Sequence, residues 1–281
     1  INRCREKVDR YSRLYSMKNI CSEFGKTRQA YYRHRSICER RKKEEEMILD
    51  KVREYRLEQP YVGGRKIKKM LQQDNIIVGR DQLFSFLRNN DLLVKKKRRS
   101  SRTTNSLHRF YCYKNLIKDL EITRPNQVFV SDITYIRTLH SFQYLFLITD
   151  YHSRKIVGYD VSDSLAIDGG IRALKMALKD VDDKGELIHH SDRGIQYCSN
   201  AYTDLLKQKG VQISMTEEDH VYENALAERV NGILKEEFCL GETIVSKEVV
   251  ELLVKDAIQT YNRKRLHMSL NYKTPESVYA A

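Results

Sequence analysis

The sequence predicts an α/β domain with a mixed five-stranded sheet, preceded by all-α helix-turn-helix segments. Three observations lead there. After Pro125 the apolar periodicity runs in the order βββαβαβα, which suits a mixed sheet covered by helices. Before Pro125 the apolar residues recur at helical spacing in short pieces. Charge divides at the same place: residues 1–124 carry 33 Lys/Arg against 15 Asp/Glu, a net +18, and residues 125–281 carry 18 against 23, a net −5.

A chain of 281 residues can bury a sizeable core and hold more than one domain. No run of eighteen apolar residues is present to span a membrane, and the first thirty residues are too rich in Arg and Lys for a signal peptide. A cytoplasmic protein is expected. A chain that begins at Ile1 reads as the downstream part of a longer product. The six cysteines show no paired zinc spacing, and reduced thiols are the simplest account. A basic half of this size points to a polyanion, and phosphate neutralisation by Lys and Arg makes nucleic acid the natural candidate.

In chain order, residues 1–40 are expected to form a helix-turn-helix-like segment. Helical pieces at 16–24 and 27–36 flank Gly25, and Thr27 caps the second. Residues 41–60 make a charged connecting helix. Residues 61–94 form a clearer pair. Ile67, Met70 and Leu71 give the first helix one buried stripe, residues 75–79 turn the chain, and Leu83, Phe84 and Leu87 face inward on the second. That leaves Arg80, Gln82, Ser85, Arg88 and Asn89 outward, and several of these side chains suit base edges in a major groove. A plain helical hairpin with a solvated face fits the same pattern. Lys95, Lys96, Lys97, Arg98 and Arg99 open a basic linker, 95–121, that either lies on phosphates or is a solvated tether.

Residues 122–281 form the α/β domain with a C-terminal helical extension. Strands are expected at 127–136, 144–150 and 154–161, then a helix at 165–180 and a strand in ELIHHSDRGIQY. A helix at 199–209, a strand at 211–215 and a helix from 224 complete it. Asp132 falls mid-strand on the face shared by Val128, Val130, Thr134 and Ile136, where an unpaired charge would cost several kcal/mol or have to be neutralised. Asp192 at a strand end, followed by Gly194, reads by itself as a turn or a helix cap. Glu228, with Asn224, Asn231 and Lys235 beside it, lies opposite the apolar stripe Leu226, Val230, Ile233, Leu234 and Phe238. Such a Glu is ordinarily just solvated. Together, three carboxylates from a strand, a strand end and a helix face suit Mg²⁺ and phosphoryl transfer.

Thirty-five residues separate Asp192 from Glu228, and Asp132 precedes Asp192 by sixty positions. This pattern resembles the D,D(35)E signature of retroviral-integrase-like transposases. The stretches RPNQVFVSDITYI, LIHHSDRGIQYCS, ENALAERVNGILKEEF and YNRKRLHMSLNYKTPESVY occur in that order. With RTTNSLHRF and the second helical pair, they resemble the OrfB-type catalytic subunit of the insertion sequence three family across roughly residues 45–281.

The resemblance implies a ribonuclease-H-like catalytic domain and a DNA transposase that cleaves and joins strands. It implies two Mg²⁺ or Mn²⁺ ions per site, with Asp132 on both, Asp192 on one and Glu228 on the other. It also implies a copy-out, paste-in route. His190 and Arg193 beside Asp192, Asn224, Asn231 and Lys235 beside Glu228, and Arg263 and Arg265 in the last stretch are expected DNA contacts. The expected partners are double-stranded DNA, as terminal inverted repeats and as target, and a second copy of the chain in a dimer or larger synaptic assembly. Two rivals stand beside this reading. A non-catalytic DNA-binding regulator would use the acidic half only as a folded core. A ribonuclease-H-type nuclease would use the same metals with water alone.

Overall fold

The computed structural model describes residues 16–94, 109–181, 183–217 and 224–281. Its contacts divide the chain into two compact units, Ile1–Glu54 and Tyr55–Ala281. The basic run Lys95–Arg99 lies outside the described residues. Among the described residues no helix is long and apolar enough to cross a membrane.

Helix α1 spans Met17–Glu23 and begins at Ser16, whose hydroxyl accepts from Asn19 N at 3.3 Å. Helix α2 runs unbroken over Arg28–Glu58, where the sequence suggested a pause between two helices. Nothing in residues 37–40 is a strong breaker, and close i,i+3 and i,i+4 ion pairs such as Arg35–Glu39 and Lys51–Glu54 lie along it. The chain next forms α3 over Gly64–Gln73 and α4 over Arg80–Asn89. Asn75 takes a positive φ of 61° in the turn, which an Asn tolerates better than most residues. Ile67, Leu71, Leu83 and Leu87 are fully buried, as their spacing predicts. Met70 and Phe84 are half-buried.

The sheet follows. Strands β1 (Val128–Arg137), β2 (Phe142–Asp150), β3 (Ile156–Ser162), β4 (Ile188–Ser191) and β5 (Gln212–Met215) take the spatial order β3-β2-β1-β4-β5. The first three strands form an antiparallel meander, and β4 and β5 add in parallel. Helix α5 (Asp168–Ala177) crosses from β3 to β4. A short α6 (Ile195–Cys198) and α7 (Asn200–Gln208) lead to β5. Helices α8 (Ala225–Glu237), α9 (Lys247–Arg263) and α10 (Pro275–Tyr279) finish the chain.

Alternation along the strands separates two cores. Phe129, Phe146 and Ile148 pack with α5, α6 and α7 through Leu174, Tyr197, Tyr202 and Leu206. Ile136, Leu145 and Leu147 pack with α8 and α9 through Val230, Leu234, Val254 and Tyr261. Val128 and Val130 extend the α8 side against Ala227. A side chain of this size contributes about 1.5–3 kcal/mol on full burial, so the parity of β1 is strongly enforced. A Cβ built on Gly158 would stand 2.2 Å from Ala173 O, so glycine lets α5 lie directly on β3. The fold is the ribonuclease-H-like one of integrase cores, as the sequence implied.

Candidate active site

Parity places Asp132 on the α8 side of β1, the face of Val128, Val130 and Ile136. Strand β4 pairs in parallel with β1 through Val128↔Ile188, Phe129↔His189 and Val130↔His190. Continuing that register by two residues sets Asp132 level with Asp192, just past the end of β4. Asp192 Oδ1 accepts from Gly194 N at 3.0 Å, so the turn role that its sequence suggested is present as well. Helix α8 packs on the same face: Glu228 lies exposed in its first turn, and Asn231 Nδ2 donates to Asp132 Oδ2 at 2.7 Å.

The electrostatics converge on Asp132. Its residue keeps some solvent contact, but its carboxyl is hemmed in by protein, and its pKa is pushed up to about 7. Burial is the first cause and the charge of Asp192 the second; Glu228 adds to the rise, and the Asn231 hydrogen bond opposes it. Asp150 shows what a structural carboxylate looks like in the same sheet. Fully buried, it accepts from Asn126 N at 2.8 Å on one oxygen, and from Ser153 N at 2.7 Å and Ser153 Oγ at 2.6 Å on the other. Asp132 has no comparable set of donors. Apart from Asn231, it accepts from the N–H of the adjacent Ile133 at 2.9 Å.

The donor set fits a hard cation. Asn231 Oδ1 and Asn224 Oδ1 are buried oxygens with no hydrogen-bond partner among the described residues, and both belong to α8 or its cap. Among the described residues, no three His, Cys, Asp or Glu side chains are gathered at ligand spacing.

Several side chains expected to meet DNA are instead buried in the protein. Asn224 donates to Ser131 O at 2.9 Å and caps α8. Asn231 holds Asp132, and His190 is fully buried with Nδ1 2.8 Å from Ser214 Oγ. Arg265 is buried against Glu237. These four side chains are buried and bonded to protein groups here. Lys235 is half-buried, and its pKa is lowered by burial against the pull of Asp132. Arg193 is half-buried beside Asp192, and Arg263 is exposed and paired with Glu276 at 3.2 Å. On α4, Arg80, Gln82, Ser85, Arg88 and Asn89 are all exposed.

No pattern in the sequence signals the polar cluster behind β1. His189 Nε2 lies 2.6 Å from Ser131 Oγ and 2.9 Å from Tyr202 OH, inside the α7 core. Burial holds this imidazole neutral, with its pKa lowered from 6.5 to about 3. The unfolded chain therefore binds the proton first, and His189 contributes stability that is full above pH 6.5 and is lost as pH falls towards 3. His189→Gln should flatten the acid limb of the stability curve by about 1.4 kcal/mol per pH unit in that window. Denaturant melts at several pH values check this, and parallel wild-type and variant curves would contradict it.

The chain is similar to known proteins over most of its length. Two family descriptions, both named integrase core domain, match residues 122–220 and 209–275. The chain is 34% identical over 261 residues to the insertion element IS600 uncharacterized 31 kDa protein of Shigella sonnei, covering 91% of this chain and 96% of that one. It is 28% identical over 275 residues to the transposase for insertion sequence element IS629 of Shigella sonnei, covering 95% and 93%. It is 34% identical over 192 residues to transposase InsF for insertion sequence IS3A of Escherichia coli K12, covering 68% and 67%. Among solved structures, the HTLV-2 integrase catalytic core domain in complex with magnesium aligns with a TM-score of 0.45 at 18% identity, over 56% of this chain and 97% of that one. The chain belongs to the insertion sequence three family of transposases, polynucleotidyl transferases built on an integrase core.

Proposed function

We propose that this transposase cleaves and joins DNA strands at the ends of an insertion sequence by a two-metal mechanism centred on Asp132, Asp192 and Glu228. The observation that carries the proposal is Asp132. Its carboxyl is hemmed in, raised in proton affinity by Asp192, and held by Asn231 from the helix that bears Glu228. Such a group is costly unless a cation or a proton neutralises it.

Asp132, Asp192 and Glu228 would hold the two Mg²⁺ or Mn²⁺ ions. Bound there, the ions supply Lewis acidity to the attacking and leaving oxygens of an in-line displacement. The chain's own residues fix the frame. Asn231 orients one oxygen of Asp132, Asn224 ties the start of α8 to the backbone of β1, and the Asp192 turn sets the loop after β4. The outward row Arg80, Gln82, Ser85, Arg88 and Asn89 on α4 would read the terminal inverted repeats, with Lys95–Arg99 on phosphates. In cleavage a water oxygen attacks phosphorus and the 3′ oxygen leaves; in joining a DNA 3′-hydroxyl attacks and another 3′ oxygen leaves. No covalent intermediate with the protein is needed. Two ends must meet, which calls for a dimer or larger assembly, and the reaction belongs in the cytoplasm where the DNA is.

The test is a nicking and strand-joining assay on duplexes carrying the ends of the element that encodes this chain. Products of both steps, dependent on Mg²⁺ or Mn²⁺, are expected. Nicking without joining would support the nuclease instead, and sequence-specific binding with neither would support the regulator. A second measurement needs no DNA. An ion that binds only the folded chain should raise its melting temperature, by a free energy of about 1.4 kcal/mol at ten times the dissociation constant. Asp192→Asn should melt at or above wild type without metal and respond less to the ion. A variant that melts lower yet keeps the full shift would make Asp192 a turn residue only.

A further inference from the structure

Helix α8 carries a second buried charge group at its other end, which the chemistry at Asp132 does not use. Glu237 lies nine residues beyond Glu228, or about 13.5 Å along the helix at 1.5 Å per residue. Arg265 grips its carboxylate with both arms, Nε to Oε2 at 2.9 Å and Nη2 to Oε1 at 2.8 Å. Lys66 Nζ, from α3, donates to Oε2 at 2.6 Å. The side chains of Lys66, Glu237 and Arg265 are only 10%, 15% and 5% exposed. The fourth member is His267, whose Nε2 meets Arg265 Nη1 at 2.7 Å; Tyr61 N also donates to the Glu237 carbonyl at 3.2 Å.

One carboxylate thus joins the α3–α4 pair, the helix of Glu228 and the segment after α9. Stability alone does not call for it. A buried ion group of this kind is commonly no more stable than apolar residues of the same volume, and two cations around one carboxylate leave a surplus positive charge. Arg229, on α8 itself, adds to that surplus at Lys66. The Lys66 bond is therefore the dispensable one: removing it leaves the neutral Arg265–Glu237 pair intact. What Lys66 adds is a rigid link from the helical pair that presents the α4 face to the rod that positions Glu228.

We propose that Lys66 is a positioning residue, which through Glu237 transmits DNA engagement by the α3–α4 pair to the helix that carries Glu228. The inference rests on the proposed reading of α4 as a DNA-binding face. It adds that a bound end and a competent active site are one linked event.

The test compares the full chain with Lys66→Met and Lys66→Arg, using as probe a duplex of the ends of the encoding element. Hydrogen exchange of the α8 amides, 225–237, is measured with and without duplex and without metal. In wild type the duplex should slow exchange in α8 about tenfold, a stabilisation of about 1.4 kcal/mol. Lys66→Met should melt at or above wild type and bind the duplex with unchanged affinity, but lose that protection. Its maximal nicking rate at saturating duplex should fall about tenfold or more. Lys66→Arg should restore both. Equal protection and equal rate in Lys66→Met would overturn the proposal while leaving the strand-transfer reading intact. A wild-type chain that binds no end duplex would overturn both.

Discussion

Asp132→Asn, Asp192→Asn and Glu228→Gln are each expected to abolish cleavage and joining while leaving end binding unchanged. The separation follows from geometry. The three carboxylates stand on β1, just past β4 and on α8, whereas the outward row of α4 lies on a different element with its own buried stripe. Each substitution removes charge that would stabilise the transition state, and loss of a single stabilising group at such a centre costs at least about 10²–10³ in rate. Single-turnover nicking beside a binding titration measures both. Asp132→Asn should be the most severe, because Asp192, Glu228 and Asn231 all act on that carboxyl. It should also be the least harmful to the metal-free fold, since it removes the carboxyl whose charge burial opposes most directly. A variant with wild-type nicking would take its residue out of the site.

Glu237→Gln should have the largest effect on stability of any conservative change on α8. It strips the counter-charge from Lys66 and Arg265 at once, and removing one partner from a buried ion pair costs about 3–5 kcal/mol. The shape is unchanged, so the loss is electrostatic. Lys66→Met in the same background should recover part of it, because one of the two stranded cations is then gone. Denaturant unfolding of the single and double variants forms the cycle. Additive losses would show that Lys66 and Glu237 are not energetically joined.

Much of the sheet was legible because it follows from local regularity. Period-two alternation located β1 to β3, and Asp132 stood out by occupying an apolar register position. The D,D(35)E spacing then joined it to Asp192 and Glu228. What escaped was set by contacts between residues far apart in sequence. Lys66 sits in a run of lysines and arginines that any pattern reads as a wet surface, and its burial depends on Glu237, 171 positions away. Asn231 looks solvated on a helical wheel, yet its amide reaches Asp132, 99 positions back. Arg265 and Asn224 misled for the same reason. A polar side chain's neighbour across the fold decides whether it serves DNA, a metal ligand or the core.

The parallel pairing of β1 with β4 also says what kind of object the signature is. Asp132 and Asp192 come level because both strands hold the same odd-even phase from Val128↔Ile188 onward. Chain length between them is free of that condition. The meander, α5 and the connections around residue 183 could lengthen or shorten without moving either carboxylate, while a single residue gained or lost ahead of Asp132 inside β1 would turn it to the α7 core. The thirty-five residues before Glu228 are likewise a measure of path: out along α6 and α7, back through β5, and into α8. The count works as an emblem of descent, and the chemistry is indifferent to it.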